Sequence, residues 1–201
     1  MNNIVIIYPE LFNCYEKFSR KVIFLIQNIT DFSVSYVSDP NGFIEKLFNE
    51  THSSIKIEQI KTLESSHATH GVVFDDGEEF PKDILYFKSK KIPLKIINID
   101  ITRVVNIKKE TKYQNPKSTP KYEYIGRGSY WGNPHSMHEN GNSREEVIRK
   151  FKYDFDYEKF PNKKKSEVYK LAGKRLGCFC KPLACHGDVL ADYLNSWDDG
   201  K

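Results

Sequence analysis

The feature that most restricts how this chain can fold is an alternation, through its first hundred or so residues, of short apolar β-rich runs with longer amphipathic stretches. Ile4 to Tyr8 reads as a buried strand, and Tyr15 to Ile29 places Phe18, Val22, Leu25, Ile26 and Ile29 near helical spacing. Ser33 to Ser38 reads as the next strand. Asp39-Pro-Asn-Gly42 is a turn whose aspartate can cap a helix over Phe43 to Glu50, with Phe43, Leu47 and Phe48 facing inward. Ile55 to Ile60, Gly71 to Phe74 and Leu94 to Ile99 supply further strands, the last two separated by the acidic turn Asp75-Asp-Gly77 and a helix from Pro81. Strands joined through helices of this length need crossover connections, so they lie parallel in a sheet covered on both faces. The expected fold class is α/β, with a small Rossmann-like parallel-sheet domain over residues 1–105 followed by a smaller α+β domain.

Between the two, residues 106–121 read as an exposed linker, because Lys108 to Lys121 is rich in Lys, Pro, Thr, Ser and Asn and has almost nothing apolar to bury. The second domain is expected over 122–201. It opens on a strand at Tyr122 to Ile125, and Ser143 with Glu146 three residues on forms a capping-box pattern for a helix reaching Tyr157. A second helix, Lys165 to Gly173, a short strand, Arg175 to Cys180, and a final helix, Asp188 to Ser196, complete the reading.

A chain of 201 residues buries a core without covalent staples. Of four cysteines, Cys178, Cys180 and Cys185 crowd into eight positions, the wrong distribution for a secreted disulfide framework, so a reducing, cytoplasmic setting is expected. The apolar runs at Ile4 to Ile7 and Val22 to Ile26 are too short to span a bilayer, and no membrane role is expected. Residues 1–105 hold 12 Lys and Arg against 14 Asp and Glu, residues 106–201 hold 19 against 13, and the halves therefore carry −2 and +6. A basic second half favours an anionic partner, either a nucleotide-type small molecule or nucleic acid, although Lys163-Lys-Lys165 reads equally well as a solvated surface.

The densest chemistry lies between Cys178 and Asp188. Residues i and i+2 of a strand leave the same face, which sets Cys178 and Cys180 together and sends Phe179 away. Cys185 and His186 arrive where the last helix begins, and its unpaired N–H groups favour thiolate and attract phosphate. One reading of Cys178, Cys180, Cys185 and His186 is a zinc site. The spacing C-x-C-x4-C-H matches zinc knuckles poorly, since adjacent Cys185 and His186 would strain to reach one metal. A second reading is catalytic, with a thiolate or Asp188 as nucleophile or base and His186 as proton partner. The third is small cysteines packing a sheet beside a hydrogen-bonded histidine.

Tyr124-Ile-Gly-Arg-Gly-Ser-Tyr-Trp-Gly-Asn-Pro134 offers complementary groups. Gly126, Gly128 and Gly132 allow close backbone approach, Arg127 supplies a fork for phosphate or carboxylate, and Trp131 or Tyr130 supplies a stacking plane. In the leading reading Arg127, Ser129 and Asn133 hold phosphate or ribose, Trp131 stacks a base, and the cysteine cluster processes the ligand by N-glycosidic hydrolysis or transfer. A non-catalytic nucleotide-capturing protein and a zinc-stabilised nucleic-acid-binding module are the alternatives. His135 and His138 read as solvated loop residues, and Cys14 carries no assigned role.

These two stretches, Tyr124 to Pro134 and Leu171 to Leu190, resemble a bacterial and phage domain family of unknown function with motifs G-R-G-S-x-W-G-N-P and G-C-x-C-x-P-x-x-C-H-G-D-V-L. That resemblance covers residues 122 to 196 and implies no activity. The first half is similar to the SLOG superfamily of Rossmann-like nucleotide-binding domains in its unit Val73-Phe-Asp-Asp-Gly77, helix, Lys91 to Ile97. The resemblance implies a Gly-rich phosphate loop after the second strand, where this chain has Ser38-Asp-Pro-Asn-Gly42. It further implies that a surviving site would be lined by Gly42 and Asp75 to Gly77 at the carboxyl ends of the strands.

Overall fold

A computed structural model describes residues 2–52, 54–113, 117–137 and 141–200. The chain divides into two units, Met1–Ile99 with Ser196–Lys201, and Asp100–Asn195.

The first unit is built on β1 (Asn2–Ile7), α1 (Tyr15–Ile26), β2 (Phe32–Tyr36), α2 (Phe43–Thr51), β3 (Ile57–Gln59), β4 (His70–Asp75), α3 (Pro81–Ser89) and β5 (Leu94–Asn98). All five strands pair in parallel in the order β3-β2-β1-β4-β5. This is the Rossmann-like α/β arrangement that the alternating pattern implies. β1 and β4 lie inside the sheet, and their apolar runs Ile4 to Ile7 and Val72 to Phe74 are buried, as two covered faces demand. Successive residues of β1 serve opposite faces. Val5 and Ile7 pack with Phe87 of α3, while Tyr8, just past the strand, stacks on Phe43 of α2 and meets Phe18 of α1. Between β3 and β4 the connection holds only a 3-10 turn, Leu63–Ser65, whose Leu63 joins the α3-side cluster.

Asp39 caps α2 as its position suggests. Its carboxylate accepts from the Ile44 and Glu45 N–H groups at 3.0–3.2 Å and from the Tyr8 hydroxyl. Gly42, at φ +68°, supplies the left-handed turn that brings the helix start back onto this side chain. The SLOG resemblance implies a phosphate loop ahead of α2, and here the Asp39 carboxylate already accepts from N–H groups at that helix start.

The second unit holds β6 (Arg103–Asn106), β7 (Tyr122–Tyr124), α4 (Arg144–Asp156), β8 (Arg175–Cys178) and α5 (His186–Asn195). β8 lies between β6 and β7 and is parallel to both. Ile125, Phe151, Phe155, Leu176 and Leu190 are completely or almost completely buried in its core. Ser143 caps α4, its hydroxyl accepting from the Glu146 N–H at 3.1 Å. The helix expected over Lys165 to Gly173 is a 3-10 helix, Lys165–Leu171, and Gly173 leaves it at φ +71°.

The start of the stretch expected as a linker, 106–121, is packed into the second unit. β6 pairs with β8 rather than with the first sheet, so residues from 100 onward go with the second unit. Asn106 and Ile107 are buried, and Tyr113 stacks on Tyr122 at 5.3 Å. Scarcity of apolar residues concealed this, because Asn106 is buried with its polar groups satisfied. Lys117 to Lys121 are exposed as expected. Among the described residues no helix is long and apolar enough to cross a membrane.

Replacing Asp39 removes the acceptor for two helix N–H groups and a tyrosine hydroxyl. Asp39→Ala is expected to destabilise the first unit by about 1–2 kcal/mol, measured by denaturant unfolding; an unchanged midpoint would refute the capping role.

Candidate functional site

The two motifs meet because β8 pairs with β7. The Ile125 N–H donates to the Gly177 carbonyl at 2.9 Å, and the Ile107 N–H donates to the Cys178 carbonyl at 3.1 Å on the other side. Any Cβ at Gly177 would lie 2.2 Å from the Tyr122 hydroxyl, and one at Gly187 would lie 2.4 Å from Ile125 Cδ1. Gly177 thus lets the Tyr122 ring lie against β8, and Gly187 lets Ile125 lie against α5.

β8 ends at Cys178. Asn106 then holds the following loop, its amide donating to the carbonyls of Phe179 and Lys181 while its oxygen accepts from the Lys108 N–H. The Sγ atoms of Cys178, Cys180 and Cys185 all lie within 4.8 Å of one another, and those of Cys178 and Cys180 are 3.5 Å apart. A hydrogen bond from Cys185, helped by the Cys180 N–H, outweighs burial and holds the Cys178 thiol down at about 5. The same bond, with burial, raises Cys185, and burial raises Cys180. All four cysteines of the chain are free.

His186 and Asp188, named above as catalytic candidates, have other work. His186 is buried, its ring meeting Phe151 edge-on at 4.9 Å. Its Nε2 lies 2.9 Å from the Ile125 carbonyl, which can only accept, so Nε2 carries the proton; Nδ1 lies 3.6 Å from Cys185 Sγ. Burial lowers its pKa and keeps it neutral. Asp188 accepts from the Cys185 N–H at 2.8 Å and pairs with Lys181 at 2.7 Å, so its carboxylate closes the first turn of α5. His186 falls outside the group of three clustered thiols.

The Gly-Arg-Gly-Ser loop is a pair of tight turns, with Ser129 N–H on the Gly126 carbonyl and Gly132 N–H on that of Ser129. Gly128 sits at φ +83°, and a Cβ at Gly132 would meet the Gly126 carbonyl at 2.6 Å. The Ser129 hydroxyl donates to the Gly126 carbonyl. Asn133 donates to the Val147 carbonyl and accepts from the His135 N–H, so it braces the loop. Trp131 is 4% exposed and belongs to the core, which corrects its assignment as a stacking plane; neighbouring Tyr130, 47% exposed, carries the open ring. In so tight a turn the two adjacent rings leave the backbone in different directions, crossing at 88°.

Two cavities open here and share Arg127 and Asn133. One, of about 170 Å³, is bordered by Arg127, His135, Arg144 and the three cysteines. The other, of about 460 Å³, is bordered by Arg127, Gly128, Ser129, Tyr130 and Lys163. Among the described residues no carboxylate lines either. Arg144, His135 and Lys163 are the residues that motif reading missed. A cation in the first turn of a helix opposes the helix dipole, so Arg144 at the start of α4 carried a legible signal. His135 takes its character from Asp154, 2.7 Å from its Nε2, and nothing in local spacing announces that pair. His138 lies outside the described residues.

In the first unit the largest comparable cleft, about 350 Å³, is bordered by Ser38, Thr62, Glu64, Lys82 and Asp83. Burial raises the Asp83 carboxyl there. Gly42 and the Asp75 to Gly77 turn do not border it.

If His186 is a structural histidine, His186→Ala leaves the Ile125 carbonyl unpaired and a hole beside Phe151. The expected loss is about 2–4 kcal/mol by denaturant unfolding, and wild-type stability would restore the proton-relay reading.

Comparison with known proteins agrees with both halves of the sequence reading. An uncharacterised 12.4 kDa protein of Enterobacteria phage T4, from the nrdA-td intergenic region, is 43% identical over 72 residues, which cover 35% of this chain and 65% of that protein. The chain thus spans just under two thirds of this relative. No solved structure matches. Residues 105–196 match a domain of unknown function, DUF4326. Residues 1–105, more than half of the chain, match the minimal SLOG domain, and the protein belongs to that family of Rossmann-like, nucleotide-associated domains.

Proposed function

We propose that the protein binds an anionic small molecule of nucleotide type in the paired cavities of its second unit. The observation that carries this reading is the cationic lining of the two cavities, with Arg127 in both, Arg144 in the smaller and Lys163 in the larger, and no carboxylate among the described lining residues. Guanidinium forks suit phosphate, and the glycine turns let it approach backbone. Arg127, common to both cavities, holds the phosphate, and Tyr130 replaces Trp131 as the ring on which a base stacks. Gly126 and Gly128 keep their proposed place at the ligand, while Ser129 and Asn133 shape the loop.

Processing, where it occurs, falls to Cys178 as thiolate and to His135, oriented by Asp154. N-glycosidic hydrolysis or transfer requires a carboxylate near the bond broken. Asp188 is engaged elsewhere, which leaves Asp154, behind His135, as the carboxylate closest to this role. A cytoplasmic, reducing location fits cysteines that form no disulfide.

Calorimetric titration with nucleoside mono-, di- and triphosphates tests the reading. Arg127→Ala and Arg144→Ala are each expected to weaken binding about ten- to a hundredfold, the worth of a hydrogen bond to a charged group. Equal affinity in wild type and both variants would reject the site. A steep loss of affinity with salt, seen with oligonucleotides alone, would favour the nucleic-acid alternative instead.

A further inference from the structure

We propose that Cys178, Cys180 and Cys185 form a three-thiolate site for zinc, with its fourth coordination position open to the cavity bordered by Arg127, Arg144 and His135. The first support is distance. Tetrahedral zinc bound ~2.3 Å from each sulfur holds the sulfurs ~3.8 Å apart, and the three Sγ atoms already lie within 4.8 Å of one another, two of them at 3.5 Å. Small side-chain rotations close the remainder.

The second support is that each sulfur accepts from a backbone or guanidinium N–H. The Cys180 N–H donates to Cys178, the Arg144 guanidinium to Cys180, and the Gly187 N–H to Cys185 at 3.4 Å. Such outer contacts orient metal thiolates and spread their charge. A thiol packed only to fill space needs no donor.

The spacing objection also dissolves in three dimensions. Adjacent Cys185 and His186 need not reach one ion, because the His186 ring is turned to the Ile125 carbonyl and Phe151. With three protein ligands and no histidine, the coordination shell is incomplete, as in zinc sites that hold water or substrate. All three cysteines border the smaller cavity, so the missing ligand enters from there. Zinc with three thiolates carries one net negative charge, which Arg127 and Arg144 offset. The fourth position takes water or an oxygen of the anionic ligand; that last assignment rests on the proposed function, whereas metal binding itself does not.

The full-length protein, reduced and reconstituted with cobalt(II), is expected to take up about one equivalent with thiolate charge-transfer and tetrahedral d–d absorption, displaced by zinc. Cys180→Ser, at the cavity rim, should lower metal affinity at least about tenfold, while Cys14→Ser should not change it. Uptake below a tenth of an equivalent in wild type, or wild-type affinity in Cys180→Ser, would overturn the site. Should Cys180→Ser fail to fold, alkylation mapped by mass spectrometry on wild type decides: zinc should protect Cys178, Cys180 and Cys185, and unchanged labelling of all three would reject the site. Added thiocyanate should shift the d–d bands and His186→Gln should leave them in place; the reverse result would put imidazole in the fourth position and remove the opening. Nucleotide titration of metal-free and zinc-loaded protein separates the two proposals, since binding without any metal uptake would sink this one alone.

Discussion

The second unit depends on β8 holding its register between β6 and β7. Tyr124 opposite Gly177, and Asn106 opposite Cys178, are the pairings that bring three distant segments to one place. Side chains alternate across a strand, so a slip of one residue would exchange the faces of Leu176 and Cys178 for that of Gly177. It would also drive a side chain into the Tyr122 ring, where only Gly177 leaves room. The thiol cluster, the Gly-Arg-Gly-Ser loop and the brace from Asn106 all follow from that register. Gly187 then fixes α5 against Ile125, which sets Cys185 beside the end of β8.

The first unit was largely legible in sequence because its signals are local. Period-2 and period-3.6 runs named the strands and helices, and Asp39 four residues before Phe43 announced the cap on α2. β6 escaped that logic. Arg103-Val-Val-Asn106 follows β5 with no helix between and reads as its continuation, yet its partner is β8, about seventy residues on, which no local pattern reveals. The packing at the start of the expected linker is hidden for a related reason, since Asn106 is polar but is buried with bonds to the Phe179 and Lys181 carbonyls.

At the site, sequence identified the groups and not their assignments. β8 stops at Cys178 short of the expected Cys180, which meets it from the following loop, and the start of α5 brings Cys185 to them. Whether His186 could serve a proton or a metal turned on a carbonyl sixty-one residues away. Whether Asp188 was free turned on Lys181 and a backbone N–H, and whether Trp131 could stack a base turned on the packing of Phe151 and Leu176 around it. Residue type limits what a side chain can do, and tertiary neighbours choose among those options.

The contrast between the units explains why the ligand is assigned to the second. In a sheet ordered β3-β2-β1-β4-β5 the crevice at the carboxyl ends of the strands is the ordinary ligand position. Helix N-termini attract phosphate, and the start of α2 is where the SLOG resemblance implies a phosphate loop. In this chain Asp39 occupies that seat with backbone and tyrosine donors already committed to it, so an incoming phosphate would have to displace a covalently tethered competitor of the same charge. The cleft on the α3 side adds Glu64 and Asp83, which oppose an anion further. The second unit reverses both conditions, with cations on the walls and glycine turns in place of a resident carboxylate. The Rossmann-like unit retains the fold of a nucleotide domain while its anion seat is satisfied from within, and the electrostatic preference for a phosphate-bearing ligand lies with Arg127 and Arg144.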